Sequence, residues 1–323
     1  MMRWTLLALA MLMVVPVAGC RQQASGRKKL VIGMVAKSKS NDVFQAAHQG
    51  ARDAARELSQ KTGVDIEVRI ETPDKEDAQA QARAIRALAS VKVAGIAVSC
   101  SDANTLRTAI DDAVDAGVPI VCFDSGAPGS KQMCYYGTDD VDCGKQVMQQ
   151  LASIMGKKGN IAILAGNQSA PNLQRRVQGV KEQLKQYPDM KLLDTVYHEE
   201  TAAQAKVAVM QAQTTTNPKI EGWAMIGGWP LFAENALPWE PGTVKVVAVD
   251  ALPPQLSYLK SGHVQMLLAQ NCYGWGQKSV QMLVDKALYG KEPPAKEIFD
   301  PLTPVMPAEA AAFEGKWKQW LGK

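Results

Sequence analysis

The chain has 323 residues, 46% of them hydrophobic and 21% charged, enough for two ordinary domains with proper cores. Its formal net charge of +4 is too small and too evenly spread to argue for a nucleic-acid partner.

The N-terminus carries the clearest local signal. MMRW gives a short positive start, TLLALAMLMVVPV an apolar core, and Val17 to Cys20 reads VAGC. That is the layout of a secretory signal over 1–19. A small-residue pair followed by Cys resembles the lipobox of bacterial lipoproteins, which implies that Cys20 is diacylated and becomes the new N-terminus. The other reading is an uncleaved anchor helix, for which the apolar stretch is short against the ~20 residues a span needs. Residues 20–28 then form a lipidated polar tether, and the expected location is the periplasm or cell surface.

From Lys29 strands and helices alternate. KLVIGMV is a strand, and Phe44, Ala47, Ala51, Ala55 and Leu58 recur at helical spacing. VDIEVRI, GIAVS and VPIVCF are strands separated by helices, with Gly63 and Gly117 where helices stop. NIAILAG, KLLDTVY, GWAMIGG, VKVVAV and VQMLLA continue the pattern, with helices through Val180 and Leu184, through Val207 and Met210, and over KSVQMLVDKAL. This predicts an α/β chain of two doubly wound parallel-sheet lobes. The expected first lobe is 29–138 plus 271–300, the second 139–270 plus 301–323, with a hinge of three crossovers near residues 138, 270 and 300. Trp317 and Trp320 read as packing anchors in the tail.

Two strands end on a carboxylate: Ile120 to Phe123 run into Asp124, and Val246 to Val249 into Asp250. A charge there is costly unless something pairs with it. Ligands of open parallel sheets bind beyond the carboxyl ends of the strands, where Asn41 and Gln270 also fall. Either aspartate alone reads equally as a helix N-cap, and Phe44 as helix core.

KLVIGMVAKSKSNDVFQAAHQGARDAA, GVPIVCFDSGAP, NLQRRVQGVKEQL, and VAVD followed by LLAQ together resemble the ribose-type periplasmic sugar-binding proteins. These are type I solute-binding proteins of ABC importers, and the resemblance runs from about residue 29 to 300. It implies that Asn41 and Phe44 are the first-loop Asn and stacking ring, Asp124 and Asp250 the hydroxyl acceptors, and Gln270 the hinge Gln. The chain departs from the pattern where arginines stand in the family: Ser125 follows the first Asp, and Gln174 lies beside Arg175 and Arg176. The family's second-lobe Asn falls at Gly227, and an aromatic aligns near Thr201. Trp229 is then the candidate replacement ring, though it reads equally as a lobe-packing residue, and Asn172 and Gln174 are the neutral donors; Arg176 reads as a structural partner of a carboxylate.

The expected function is capture of a sugar or polyol-like ligand between the lobes and delivery to an ABC permease, by a monomer. The same cleft would serve a sensor presenting ligand to a membrane receptor or kinase. No GxSxG, P-loop, GxGxxG after a strand or metal-ligand spacing marks an enzyme, and no cofactor or metal is expected. Two cleft carboxylates also fit a glycosidase pair, the weakest of the three readings. Besides Cys20 there are five cysteines, of which Cys134 and Cys143 lie near enough in sequence for a disulfide.

Overall fold

The computed structural model describes residues 29 to 321, so Cys20, the signal segment and the tether lie outside the described residues. Two six-stranded sheets form the frame. The first contains β1 (Lys29–Val35), β2 (Asp65–Ile70), β3 (Gly95–Val98), β4 (Ile120–Phe123), β5 (Cys134–Gly137) and β11 (Glu297–Phe299). Its order is β11-β5-β4-β3-β1-β2, every pairing parallel. The second contains β6 (Gly159–Gly166), β7 (Met190–Tyr197), β8 (Gly222–Met225), β9 (Lys245–Val249), β10 (Met266–Ala269) and β12 (Thr303–Val305). Its order is β12-β10-β9-β8-β6-β7, parallel except that β12 runs antiparallel to β10. The two-lobed parallel architecture expected from the alternation is therefore the one observed.

Helices cover both faces, which is why β3, β4, β8 and β10 are buried along their whole length and read as unbroken apolar runs. The helices are α1 (Asp42–Thr62), α2 (Ala78–Ser90), α3 (Ala103–Asp115), α4 (Asp140–Ile154), α5 (Pro171–Leu184), α6 (Ala202–Thr215), α7 (Pro253–Lys260), α8 (Cys272–Tyr289) and α9 (Ala310–Leu321). Asn41, Asp77, Asp102 and Asp139 cap α1 to α4 through their side chains.

The chain passes between the sheets after β5, after β10, and between β11 and β12. Each of the first two passages delivers a helix to the lobe it enters: α4 packs on α5, and α8 on α1. Glycines permit both crossings. A Cβ on Gly144 would meet the Arg176 carbonyl oxygen at 2.0 Å, and one on Gly50 the Tyr273 carbonyl oxygen at 2.0 Å.

The C-terminal helix α9 touches both lobes. Trp317 Nε1 donates to the Ala251 carbonyl at 2.7 Å in the second lobe, while Trp320 stacks on Tyr273 of α8 in the first. Their centroids lie 5.7 Å apart at 12°.

One expectation is corrected. Cys134 and Cys143 form no disulfide: both are buried free thiols, one at the start of β5 in the first lobe, the other in α4 on the second. A short sequence separation spans the hinge here and says nothing about Cβ geometry. The helix expected through Val207 and Met210 is present as α6; both residues are exposed, and Ala205, Val209 and Ala212 make its buried face.

Candidate functional site

Asp124 and Asp250 follow β4 and β9 at the carboxyl ends of the two sheets, in left-handed backbone with φ of 57° and 75°. Neither caps a helix, because the helices that follow take their caps elsewhere. Each carboxylate is nearly buried and held by side chains. Asp124 Oδ2 accepts from Ser99 Oγ at 2.6 Å, and Oδ1 accepts from Asn172 Nδ2 at 3.3 Å. The second of these bonds crosses from the first lobe to the second.

Lys37, two residues past β1, completes this cluster. Its Nζ lies 4.0 Å from Asp124 Oδ2 and 3.5 Å from Glu200 Oε1, and donates to Asn172 Oδ1 at 3.3 Å. Burial disfavours the ammonium, but Glu200, Asp124 and Glu76 overcome it and hold the group above the ordinary lysine range. A charged donor therefore does reach Asp124, from the β1–α1 loop instead of from position 125.

A second buried network lies at the hinge. Arg176 Nε donates to Asp140 Oδ1 at 2.9 Å, Nη1 to the Ile226 carbonyl at 3.0 Å and Nη2 to Gln270 Oε1 at 2.7 Å. Gln270 Oε1 also accepts from Thr138 Oγ1 at 2.8 Å, joining two of the three crossovers, and its amide donates to Asp250 Oδ1 at 2.8 Å. Burial pushes the Asp250 carboxyl up to about 6, against the pull of Gln270 and Arg176. Arg176 pairs with a carboxylate, Asp140, as expected.

A cavity of about 890 Å³ opens between the lobes and meets the first cluster at Glu200. The first lobe contributes Ser38, Ser40 and Glu76 to its walls, the second Asn167, His198, Glu200 and Thr201. Asn167 Nδ2 reaches across it to Glu76 Oε1 at 3.0 Å. Burial and the facing Glu200 carboxylate push the Glu76 carboxyl up to about 7.

The residues singled out from sequence divide accordingly. Asp124 and Asn172 meet across the lobes, and Asp250 and Gln270 meet at the hinge. Ser125 is buried beside Asp124 with its Oγ unpaired. Trp229 is buried with its ring edge against His198, centroids 5.0 Å apart. Its ring also explains the glycine at 227: a Cβ there would lie 2.4 Å from Trp229 Cη2.

Three candidates lie elsewhere. Asn41 caps α1, its side chain accepting from the Val43 N–H at 3.3 Å. Phe44 is in the helix–sheet core, 6.4 Å from Trp275, and is not part of the cavity wall. Gln174 is exposed and its amide closes on the Gln168 carbonyl. Asn172 and Arg176 share a face of α5 at i and i+4, and a residue midway between them is turned away. Lys37, Ser99, Glu76, Thr138 and Glu200 were missed. The only signal for Lys37 was a lysine two residues past a buried strand.

The periplasmic binding protein domain model matches residues 32–292. A xylitol-binding protein of Mycolicibacterium smegmatis is 30% identical over 190 residues, 58% of this chain and about half (54%) of that relative's length. A D-apiose import binding protein of Actinobacillus succinogenes is 27% identical over 259 residues, 77% of this chain and 79% of that one. The solved ABC-transporter solute-binding protein of Burkholderia graminis, in complex with D-arabinose, superposes with a TM-score of 0.78 at 25% identity, covering 87% of this chain and 96% of that chain. The matched segment runs through both sheets and through the polar clusters between them, and on that ground the chain belongs to the periplasmic binding proteins.

Proposed function

We propose that the chain is an extracytoplasmic binding protein that captures a sugar or polyol-like ligand between its lobes and delivers it to an ABC importer. The single observation that carries this is the Asp124–Asn172 pair. A buried carboxylate on one lobe and a buried amide on the other meet directly across the lobes, joined through Lys37 to Glu200 on the wall of the inter-lobe cavity, and hydroxyls are what such groups bind. The relatives, whose names specify xylitol and D-apiose, support a polyhydroxylated ligand. The protein acts as a monomer, since each chain holds both halves of its cleft, and it performs no chemistry on the ligand. Cys20 is the acylated residue that holds it at the membrane, on the strength of the VAGC pattern.

A thermal-shift screen of the protein from residue 27 against pentoses, hexoses, polyols and nucleosides tests this reading. A ligand at 100-fold its dissociation constant stabilises by ~2.7 kcal/mol. No shift with any sugar or polyol overturns it. Cys20→Ala should release the protein from membranes, and a variant that still pellets after a carbonate wash overturns the anchor.

A further inference from the structure

The charges around the cavity do not balance. Arg176 is consumed by Asp140, Gln270 and the Ile226 carbonyl. Lys37 is consumed by Asn172, Asp124 and Glu200. Both cations are buried, so neither is free to meet an anionic ligand. Carboxylates remain in excess: Glu76 and Glu200 stand on opposite lobes in the wall of the same cavity, and Lys37 pairs with Glu200 and Asp124 but not with Glu76. His198, which lines the same cavity, adds no positive charge, because burial holds its imidazole below the ordinary range. Its Nε2 is buried and unpaired, as is Ser125 Oγ beside Asp124, where Ser125 is only 1% exposed. Unpaired polar atoms of this kind need a partner that the chain does not supply.

Two carboxylates drawn together as lobes close repel each other unless a proton or a cation sits between them. At the rim, Lys75 and Glu199, both exposed, offset each other. We infer that the ligand carries a protonated amine as well as hydroxyls, an amino sugar or aminopolyol whose ammonium is met by Glu76 and Glu200. This rests on the sugar or polyol reading and narrows it. The hydroxyls take Asp124 and Asn172, and the ammonium takes the place that a proton on Glu76 otherwise fills. With Glu76 pushed up to about 7, binding a cation near neutral pH expels that proton into solution.

The test is calorimetry on the full mature protein with matched pairs, each amino sugar or aminopolyol against its neutral parent. Buffers of different ionisation enthalpy count the protons released. We expect the amine to bind at least ~10-fold more tightly than its parent, with net proton release near pH 7. Glu76→Gln should remove the proton release and most of the preference. Glu76 lies in a partly exposed loop, so that variant should fold. Equal or tighter binding of the neutral parent overturns the amine while leaving the sugar or polyol reading intact. Failure of both members of every pair overturns both readings.

Discussion

Asp124 and Asp250 occupy matching places in the two lobes, each ending a buried strand in left-handed backbone with φ of 57° and 75°. Non-glycine residues seldom adopt that conformation, and aspartate and asparagine do so at least cost. Residue type at these positions therefore answers to backbone and ligand together.

The two demands separate by substitution. Asp124→Asn and Asp250→Asn keep the backbone preference and lose the charge, whereas Asp124→Ala and Asp250→Ala lose both. The alanine variants should be less stable than the asparagine ones by about 1–2 kcal/mol. All four should bind ligand on the order of a hundredfold more weakly, about 3 kcal/mol. Melting curves and titrations on the four variants check this, and unchanged affinity in the asparagine pair would remove the aspartates from the site.

Lys37 ties the lobes together through Asp124, Asn172 and Glu200, with 3% of its side chain exposed. Replacing it by methionine leaves carboxylates buried without their cation, a change worth about 3–5 kcal/mol for a buried pair. Lys37→Met should lower the melting temperature and enlarge the radius of gyration by small-angle scattering. Adding Glu200→Gln should recover part of the loss. A double variant no more stable than the single one would place the cost in packing.

Much of the frame was legible because a parallel sheet covered on both faces needs unbroken apolar strands, and Ile120 to Phe123 or Met266 to Ala269 can be little else. The aspartates were legible for the same reason, as charges at the ends of such runs. Lys37 and Glu200 were not. They stand in polar loops, and no periodicity records which loop of one lobe meets which loop of the other. Phe44 and Gln174 show the converse. Position in a familiar pattern suggested a cleft, but the faces of α1 and α5 turn one into the core and the other to solvent. The three-residue strands β11 and β12 carry too few side chains for an alternation to show.

Glu76 should leave a signature in stability. Its carboxyl is raised from 4.5 to about 7, so between those values the folded chain binds a proton that the unfolded chain has lost. Stability from this group is fully present below pH 4.5 and is lost as pH rises through 7, by on the order of 3 kcal/mol. Glu76→Gln should flatten that part of the pH profile and be the more stable protein above pH 7. Chemical denaturation at pH 4.5, 6 and 8 measures it; identical profiles would show that Glu76 ionises freely.

The glycine crossings should differ in what they disturb. Gly144→Ala drives a methyl to 2.0 Å from the Arg176 carbonyl and displaces α5, the helix that carries Asn172 and Arg176. Gly50→Ala makes the equivalent clash at the Tyr273 carbonyl between α1 and α8. Both should cost about 1–3 kcal/mol or more of stability. Only Gly144→Ala should also weaken ligand binding beyond what its stability loss explains. Equal affinities in the two variants would argue that α5 can shift without moving its site residues.

Helix α9 bridges the two lobes. Trp317 and the Lys260–Glu314 ion pair hold this helix to the second lobe, while Trp320 grips Tyr273, whose hydroxyl donates to Asp53 of α1 at 2.9 Å. Such a helix must slide or detach at one end if the lobes rotate apart, and the stacked ring pair, beside its packing on α1, holds it to the first lobe. Aromatic pairs contribute about 0.5–1.5 kcal/mol beyond their buried area. Trp320→Ala should therefore shift the balance toward separated lobes without unfolding either one. Apparent affinity should fall about 2- to 10-fold, since only the closed fraction binds fully. The radius of gyration without ligand should rise, while at saturation it should match the unsubstituted protein. Trp317→Ala, which cuts the hold on the second lobe, should act in the same direction. A radius unchanged in both variants would show that α9 rides with the hinge and takes no part in setting its angle.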